Sequence, residues 1–327
     1  MTGHTGFRNV VDAADAARFR ANGWWGDMTV SDFVRAHVVT QGDKIAYVTP
    51  EHSMTYRQLD SAADRVAAAL VSTGAEPGER VAVMLPDGPS IHAVFIGAER
   101  AGLTVVGIGA RAGDRELRHL LDKTAAKLIV TFGEHRGADQ ATLVEGLRAD
   151  GAAIASHVVV PRFETGEHTI LVDGKAVDAA ALEAAVEHER RIGPDDLFLV
   201  NSTSGTTGLP KCVTHHQNRW MYFHRKAVEN GALTGDDVFF GAVATPFGFG
   251  IWTSHVTPLV LGATVLTVER FDAGQALDLI ERERVTVLCC VSTQFIMLLG
   301  ETNTADLSSL RVMFTGGEPV PLSLIHI

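Results

Sequence analysis

Cysteine is scarce in this chain, with three among 327 residues: Cys212, Cys289 and Cys290. None stands in a C-x-x-C spacing, and adjacent cysteines are poor ligands for one metal ion. The pattern therefore offers neither a zinc site nor a disulfide framework. Cys289-Cys290 lies inside the apolar run Val285–Val291 and reads as a pair of small buried hydrophobes in a strand. Long apolar runs are missing too: none reaches the roughly 20 residues of a membrane span. No secretory signal opens the chain. These absences lead to the expectation of a cytoplasmic protein. Positive charge is the third shortage. Lys and Arg number 28 against 39 Asp and Glu, for a net charge of −11 and a pI of about 5.7. That excludes the broad basic face of a nucleic-acid binder. It does not exclude a phosphate ligand, which needs only local N–H groups and a lysine.

What is present is apolar material: 46% of the residues are hydrophobic, enough for a large core and about two domains or subdomains. Strand-like and helix-like segments alternate. Thr55 and Gln58 form a capping-box pattern. The helix they open carries Leu59, Ala62, Ala63, Val66, Ala67 and Leu70 on one stripe and stops at Gly74. Strands are expected at 80–86, 104–108, 127–131 and 157–160, with helices at 91–101, 115–124 and 141–152 between them. The mixed, acidic stretch 162–189 reads as a connection. A second series places strands at 197–200, 238–243, 263–268, 285–291 and 311–314. Apolar strands separated by helices predict an α/β fold with a mainly parallel sheet covered on both faces. The expected division is an N-terminal arm (1–30), a first α/β subdomain (31–190) and a second (191–321) that contains the loop described next.

That loop follows the strand at Leu197: Asn201-Ser202-Thr203-Ser204-Gly205-Thr206-Thr207-Gly208-Leu209-Pro210-Lys211. Small residues let the backbone approach an anion, and successive N–H groups can share one concavity. The hydroxyls add donors and Lys211 a movable positive charge. The loop is not a Walker A motif, because Leu-Pro separates Gly208 from the lysine and Cys212 follows it. His215-His216 comes soon after, at an expected helix start. Adjacent helical histidines point about 100° apart, so they do not share a metal ion.

The loop closely resembles the signature of the adenylate-forming (AMP-binding) superfamily, T-S-G-T-T-G-x-P-K-G. Nine of its ten positions stand here as Thr203 to Lys211, with Cys212 in place of the final Gly. Three further regions extend the resemblance, which covers roughly residues 20 to 321. Gly23-Trp24-Trp25-Gly26-Asp27-Met28-Thr29-Val30 is similar to the start of aryl- and alicyclic-acid ligases, with the tryptophans expected to anchor the arm. Ala244-Thr245-Pro246-Phe247-Gly248-Phe249-Gly250-Ile251-Trp252 is similar to the segment beside the family's acyl pocket. Many members carry His where Phe247 stands, and several aryl-acid ligases carry Asn where Gly248 stands. Thr315-Gly316-Gly317-Glu318 is similar to the strand-to-turn segment that lies against adenine and ribose.

The resemblance implies an acyl-CoA synthetase of two half-reactions, with a hydrophobic carboxylic acid, ATP, Mg²⁺ and coenzyme A as its small-molecule partners. It implies that Thr203, Ser204, Gly205, Thr206, Thr207, Gly208 and Lys211 hold the ATP phosphates, with Thr206 and Lys211 acting in catalysis. Gly316, Gly317 and Glu318 would border the nucleotide, and Phe247, Gly248, Phe249 and Trp252 the acyl pocket. No metal ligand is assigned. Members are longer: they continue to a Tyr-Gly-x-Thr-Glu segment and a small C-terminal domain with a catalytic Lys, and neither occurs here. The second subdomain is thus expected to be incomplete, and 322–327 to be a truncated or non-native tail. Two other readings stay open: an adenylation enzyme loading a carrier protein, and a non-catalytic nucleotide-binding fragment.

Overall fold

The computed structural model describes residues 11–178, 190–202, 208–302, 304–318 and 320. Two large sheets dominate. The eight-stranded sheet runs in the order Lys175–Val177, Ile170–Val172, Ser156–Val159, Leu128–Thr131, Arg80–Val83, Thr104–Gly107, Leu197–Ser202 and Cys212–His216. Its five central strands, from Ser156–Val159 to Leu197–Ser202, are parallel. The six-stranded sheet runs Val312–Phe314, Val287–Cys289, Val238–Gly241, Thr264–Thr267, Ile45–Val48 and Ser53–Thr55, parallel except for the last pair.

Period-2 alternation sorts each strand's side chains between layers. Val81 and Val83 join an inner cluster shared with Phe239, Val265 and Val287 of the other sheet, whereas Ala82 joins an outer one with Leu117, Leu120 and Leu121. On the far side Phe240, Leu266 and Leu288 meet Leu279 and Ile280. The result is five layers, helix–sheet–helix–sheet–helix. The helix Pro89–Arg100 lies in the middle layer with every residue buried. Its last residue, Arg100, pairs with Asp60 at 2.6 Å and Asp64 at 2.8 Å, so its buried charge is neutralised. The capping box expected at Thr55 and Gln58 forms with both of its bonds and opens the helix Tyr56–Ser72, which buries Leu59, Ala63, Val66 and Leu70. Cys289 and Cys290 are fully buried on opposite faces of their strand, as their apolar run predicts.

The chain order does not match the sheets. Ile45–Val48 and Ser53–Thr55, from the expected first subdomain, complete the six-stranded sheet. Leu197–Ser202 and Cys212–His216, from the expected second, complete the eight-stranded one. The helix start expected at His215-His216 falls on His216 alone. Residues 212–216 form an antiparallel edge strand against Leu197–Ser202. Only then does the helix Gln217–Gly231 begin, with His216 as its N-cap. The two tryptophans do anchor the arm: Trp25 packs edge-on to His216 at 4.8 Å and Trp24 to Tyr222 at 5.6 Å.

Candidate functional site

The carboxyl ends of parallel strands are where open α/β sheets bind ligands. Three such ends converge here: Ser202, Gly241 and Phe314 close their strands within one region. Ser202 leads into the predicted phosphate loop. Thr203, Ser204, Gly205, Thr206 and Thr207 lie outside the described residues. The loop's far end is described: Gly208 and Lys211 are exposed, and Lys211 makes no ion pair among the described residues.

A cavity of about 600 Å³ opens beside this region. Gly248, Phe249 and Trp252 line it together with Gly316 and Gly317, so two of the predicted sites share one space. Its walls are rings. Trp252 meets Phe223 edge-on at 5.4 Å and Phe314 at 5.1 Å, and Phe249 is 5.7 Å from Trp252. Two glycines shape the floor and mouth. Gly317 has φ +83°, which a side chain would strain. A Cβ on Gly316 would sit 3.3 Å from the Phe249 ring, tighter than ordinary contact. Glu318 turns aside: its Oε1 accepts from the Thr293 N–H at 2.8 Å and from the Thr293 hydroxyl at 3.3 Å.

Phe247 stands apart from the other three predicted pocket residues. It lines a separate cavity of about 910 Å³ with Asp87, Gly109, Arg111 and Gln294, its ring 3.4 Å from where a Gly109 Cβ would be. Phe247 is the N-cap of the short helix that opens at Gly248, with extended backbone, whereas Gly248 and Phe249 lie inside that helix. The direction of the chain changes between 247 and 248, and the rings part. In the second cavity Asp87 accepts from the Thr245 N–H at 2.6 Å, and burial pushes its carboxyl up to about 6.

Sequence reasoning missed the wall supplied by the helix Gln217–Gly231. Arg219, Trp220, Phe223, Lys226, Ala227 and Asn230 all face the 600 Å³ cavity. Their spacing is that of one helix face, a signal present in the sequence. His215, on the preceding strand, lines it too. Its Nε2 is 2.9 Å from Asn201 Oδ1, and burial, with Arg219 and His216 nearby, lowers its pKa to about 4, so the ring is neutral at pH 7. Among the described residues no group of three or more His, Cys, Asp or Glu is placed to hold a metal ion, and no helix is long and apolar enough to cross a membrane.

This geometry agrees with what the chain is similar to. The family model described as AMP-binding enzyme matches residues 34–326. The chain is 31% identical over 288 residues to the 3-[(3aS,4S,7aS)-7a-methyl-1,5-dioxo-octahydro-1H-inden-4-yl]propanoyl:CoA ligase of Mycobacterium tuberculosis, a match covering 87% of this chain and 56% of that protein. It is 28% identical over 298 residues to the 4-hydroxybenzoate–CoA/benzoate–CoA ligase of Rhodopseudomonas palustris, covering 89% and 53%. The fold superposes on the N-terminal domain of FACL13 from Mycobacterium tuberculosis with a TM-score of 0.75 at 22% identity, covering 91% of this chain and 72% of that one. The chain thus spans about half the length of the curated relatives it matches. On the extent of that family match, joined to the signature loop at the strand ends, the chain belongs to the AMP-binding enzyme family.

Proposed function

We propose that the protein acts as an ATP-dependent acid–CoA ligase for a hydrophobic carboxylic acid, working in the cytoplasm. One observation carries the reading: Gly248, Phe249 and Trp252 share a single ring-lined cavity with Gly316 and Gly317, beside the root of the phosphate loop. An acid in that cavity would lie next to a nucleotide on the Gly316-Gly317 turn. In the first half-reaction a carboxylate oxygen attacks the α-phosphorus of ATP and pyrophosphate leaves. In the second the sulfur of coenzyme A attacks the acyl carbon and AMP leaves.

The obstacle to the first step is repulsion between a carboxylate and a triphosphate. Positioning and electrostatics dominate such transfers. Thr203, Ser204, Thr206 and Thr207 would donate to the β- and γ-phosphates, and Gly205 and Gly208 would let the backbone curve around them. Lys211, exposed and without an ion-pair partner among the described residues, is free to follow the departing pyrophosphate. Gly316, Gly317 and Glu318 would border adenine and ribose. Mg²⁺ would enter with the nucleotide and neutralise part of its phosphate charge. The acid is apolar and of ring or medium-chain size, because tryptophan and phenylalanine rings wall the cavity and a volume of about 600 Å³ exceeds what a two-carbon acid fills. The ring-acid substrates in the relatives' names support this choice. Pyrophosphate release, measured with ATP, Mg²⁺, coenzyme A and a panel of alicyclic, aromatic and medium-chain acids, tests the reading. Acid-dependent pyrophosphate and AMP in equal amounts are expected; no acid-dependent release across the panel refutes it.

A further inference from the structure

The helical segment from Gly248 to Leu261 is irregular. Gly248–Ile251 and Thr257–Leu261 are α-helical, and Trp252–Val256 between them is a π-helical turn. A π turn inserts one residue and shifts a carbonyl away from its regular partner, and such turns concentrate where a side chain must be re-aimed. This one has two faces. Toward the cavity it presents Trp252, which touches the rings of Phe223 and Phe314.

Toward the core it presents His255 and meets two further polar rings, Tyr47 and His92. The Tyr47 hydroxyl donates to the Ser254 carbonyl at 2.8 Å, giving the widened turn a donor from outside the helix. His255 Nδ1 is 3.2 Å from His92 Nδ1, with the rings nearly parallel at 5.4 Å. Tyr47 stacks on His92 at 4.3 Å and 13°. Tyr47 and His92 are inaccessible to solvent, and His255 is 2% exposed. Against the same turn lies Gly241, where a Cβ would come within 1.9 Å of Ser254 Oγ.

A His–His hydrogen bond adds direction: one Nδ1 must donate and the other accept, so each ring fixes the other's rotation, and burial keeps both in the neutral form. Nothing in the two half-reactions uses these groups.

We propose that Tyr47, His92 and His255 are positioning residues for acyl selection. They hold the π turn from its buried side so that Trp252 stands as the cavity wall, and thereby set how far an acid can enter. The proposal rests on the reading of that cavity as the acyl site.

The test combines kinetics with a probe that needs no substrate. Tyr47→Phe removes only the bond to Ser254, His255→Leu removes the imidazole pair, and His255→Asn returns an amide near the Nδ1 position. The chain has four tryptophans, so replacing Trp24, Trp25 and Trp220 by Phe leaves Trp252 as the sole fluorophore. With Tyr47→Phe and His255→Leu, the ratio of KM between the largest and smallest accepted acids should shift about 10-fold or more, the lower end of a one-methylene discrimination. KM for ATP should stay within 2-fold, acrylamide quenching of Trp252 should rise, and His255→Asn should recover most of the wild-type profile. A lowered melting temperature with acid profile and Trp252 quenching both unchanged would overturn the proposal and leave the rings a structural role only. If the unsubstituted protein turns over no acid, the ligase reading fails separately. Quenching then decides the point: unchanged quenching overturns the hold on Trp252, and increased quenching upholds it.

Discussion

Replacing Gly248 by alanine should move stability and activity in opposite directions. A Cβ at this position would meet Trp220 Cη2 at 3.7 Å and Asn201 Nδ2 at 3.9 Å, both ordinary van der Waals distances. Its backbone does not occupy the left-handed region, so the substitution introduces no strain. Gly248 is the first residue of a helical segment, where alanine gains up to about 1 kcal/mol over glycine by losing less backbone entropy. The folded state should therefore hold or rise in stability. The added methyl, however, would stand beside Trp220 and Asn201 at the wall of the proposed acyl cavity. An acid that reaches this wall loses the space of about one methylene, worth roughly 1–3 kcal/mol or 10–200-fold in kcat/KM. Shorter acids that stop before Gly248 should be unaffected. The assay is pyrophosphate release across acids of graded length, paired with urea unfolding of both proteins. Two results would refute the reasoning. A stability loss above about 1 kcal/mol would mean that the site has no room for a methyl. An acid profile that falls equally for all lengths, or not at all, would remove Gly248 from the cavity wall.

Other expectations follow from the same contacts. Lys211→Ala should slow pyrophosphate release while leaving the unfolding midpoint in place, since the side chain is exposed and makes no ion pair among the described residues; unchanged release would remove it from the mechanism. Gly241→Ala should destabilise by about 1–3 kcal/mol through overpacking against Ser254, whose Oγ would lie 1.9 Å from the new Cβ; a neutral effect on the melting temperature would show that the π turn can yield. His215, His224 and His255 are held by burial at pKa values lowered to about 4, 4 and 3 from 6.5. Their folded pKa values are depressed, so the stability they contribute is full above pH 6.5 and is lost as pH falls toward 3–4. Denaturant midpoints measured across that range should fall accordingly, and His224→Gln should flatten part of the slope; a slope identical to wild type would contradict the assignment.

Local elements were readable because their causes are local. The capping box at Thr55 and Gln58, the apolar stripe from Leu59 to Leu70 and the strands at 80, 104 and 128 follow from periodicity and caps, each acting over a few residues. The loop from Thr203 to Lys211 and the turn at Gly316-Gly317 carry their chemistry in residue type and spacing, so both stood out as candidates before any fold was known. The edge strand Cys212–His216 was not legible. Its side chains only half alternate, and it exists because Leu197–Ser202 lies beside it to take up its backbone bonds.

The linear order of residues thus determined the class of layers, the family and the glycine turn at Gly316-Gly317. The third dimension decided which strand joined which sheet, because apolar alternation reports that a strand is covered but not by which neighbour. It alone separated Phe247 from Phe249, two residues apart in the chain, by starting a helix at Gly248. It also set Trp252 against Phe223 and Phe314, and placed His92, His255 and Tyr47 behind the same turn. The bonds from His92 to His255 and from Tyr47 to Ser254 join residues 163 and 207 positions apart, and only the packing of two sheets around the buried helix Pro89–Arg100 brings them into contact.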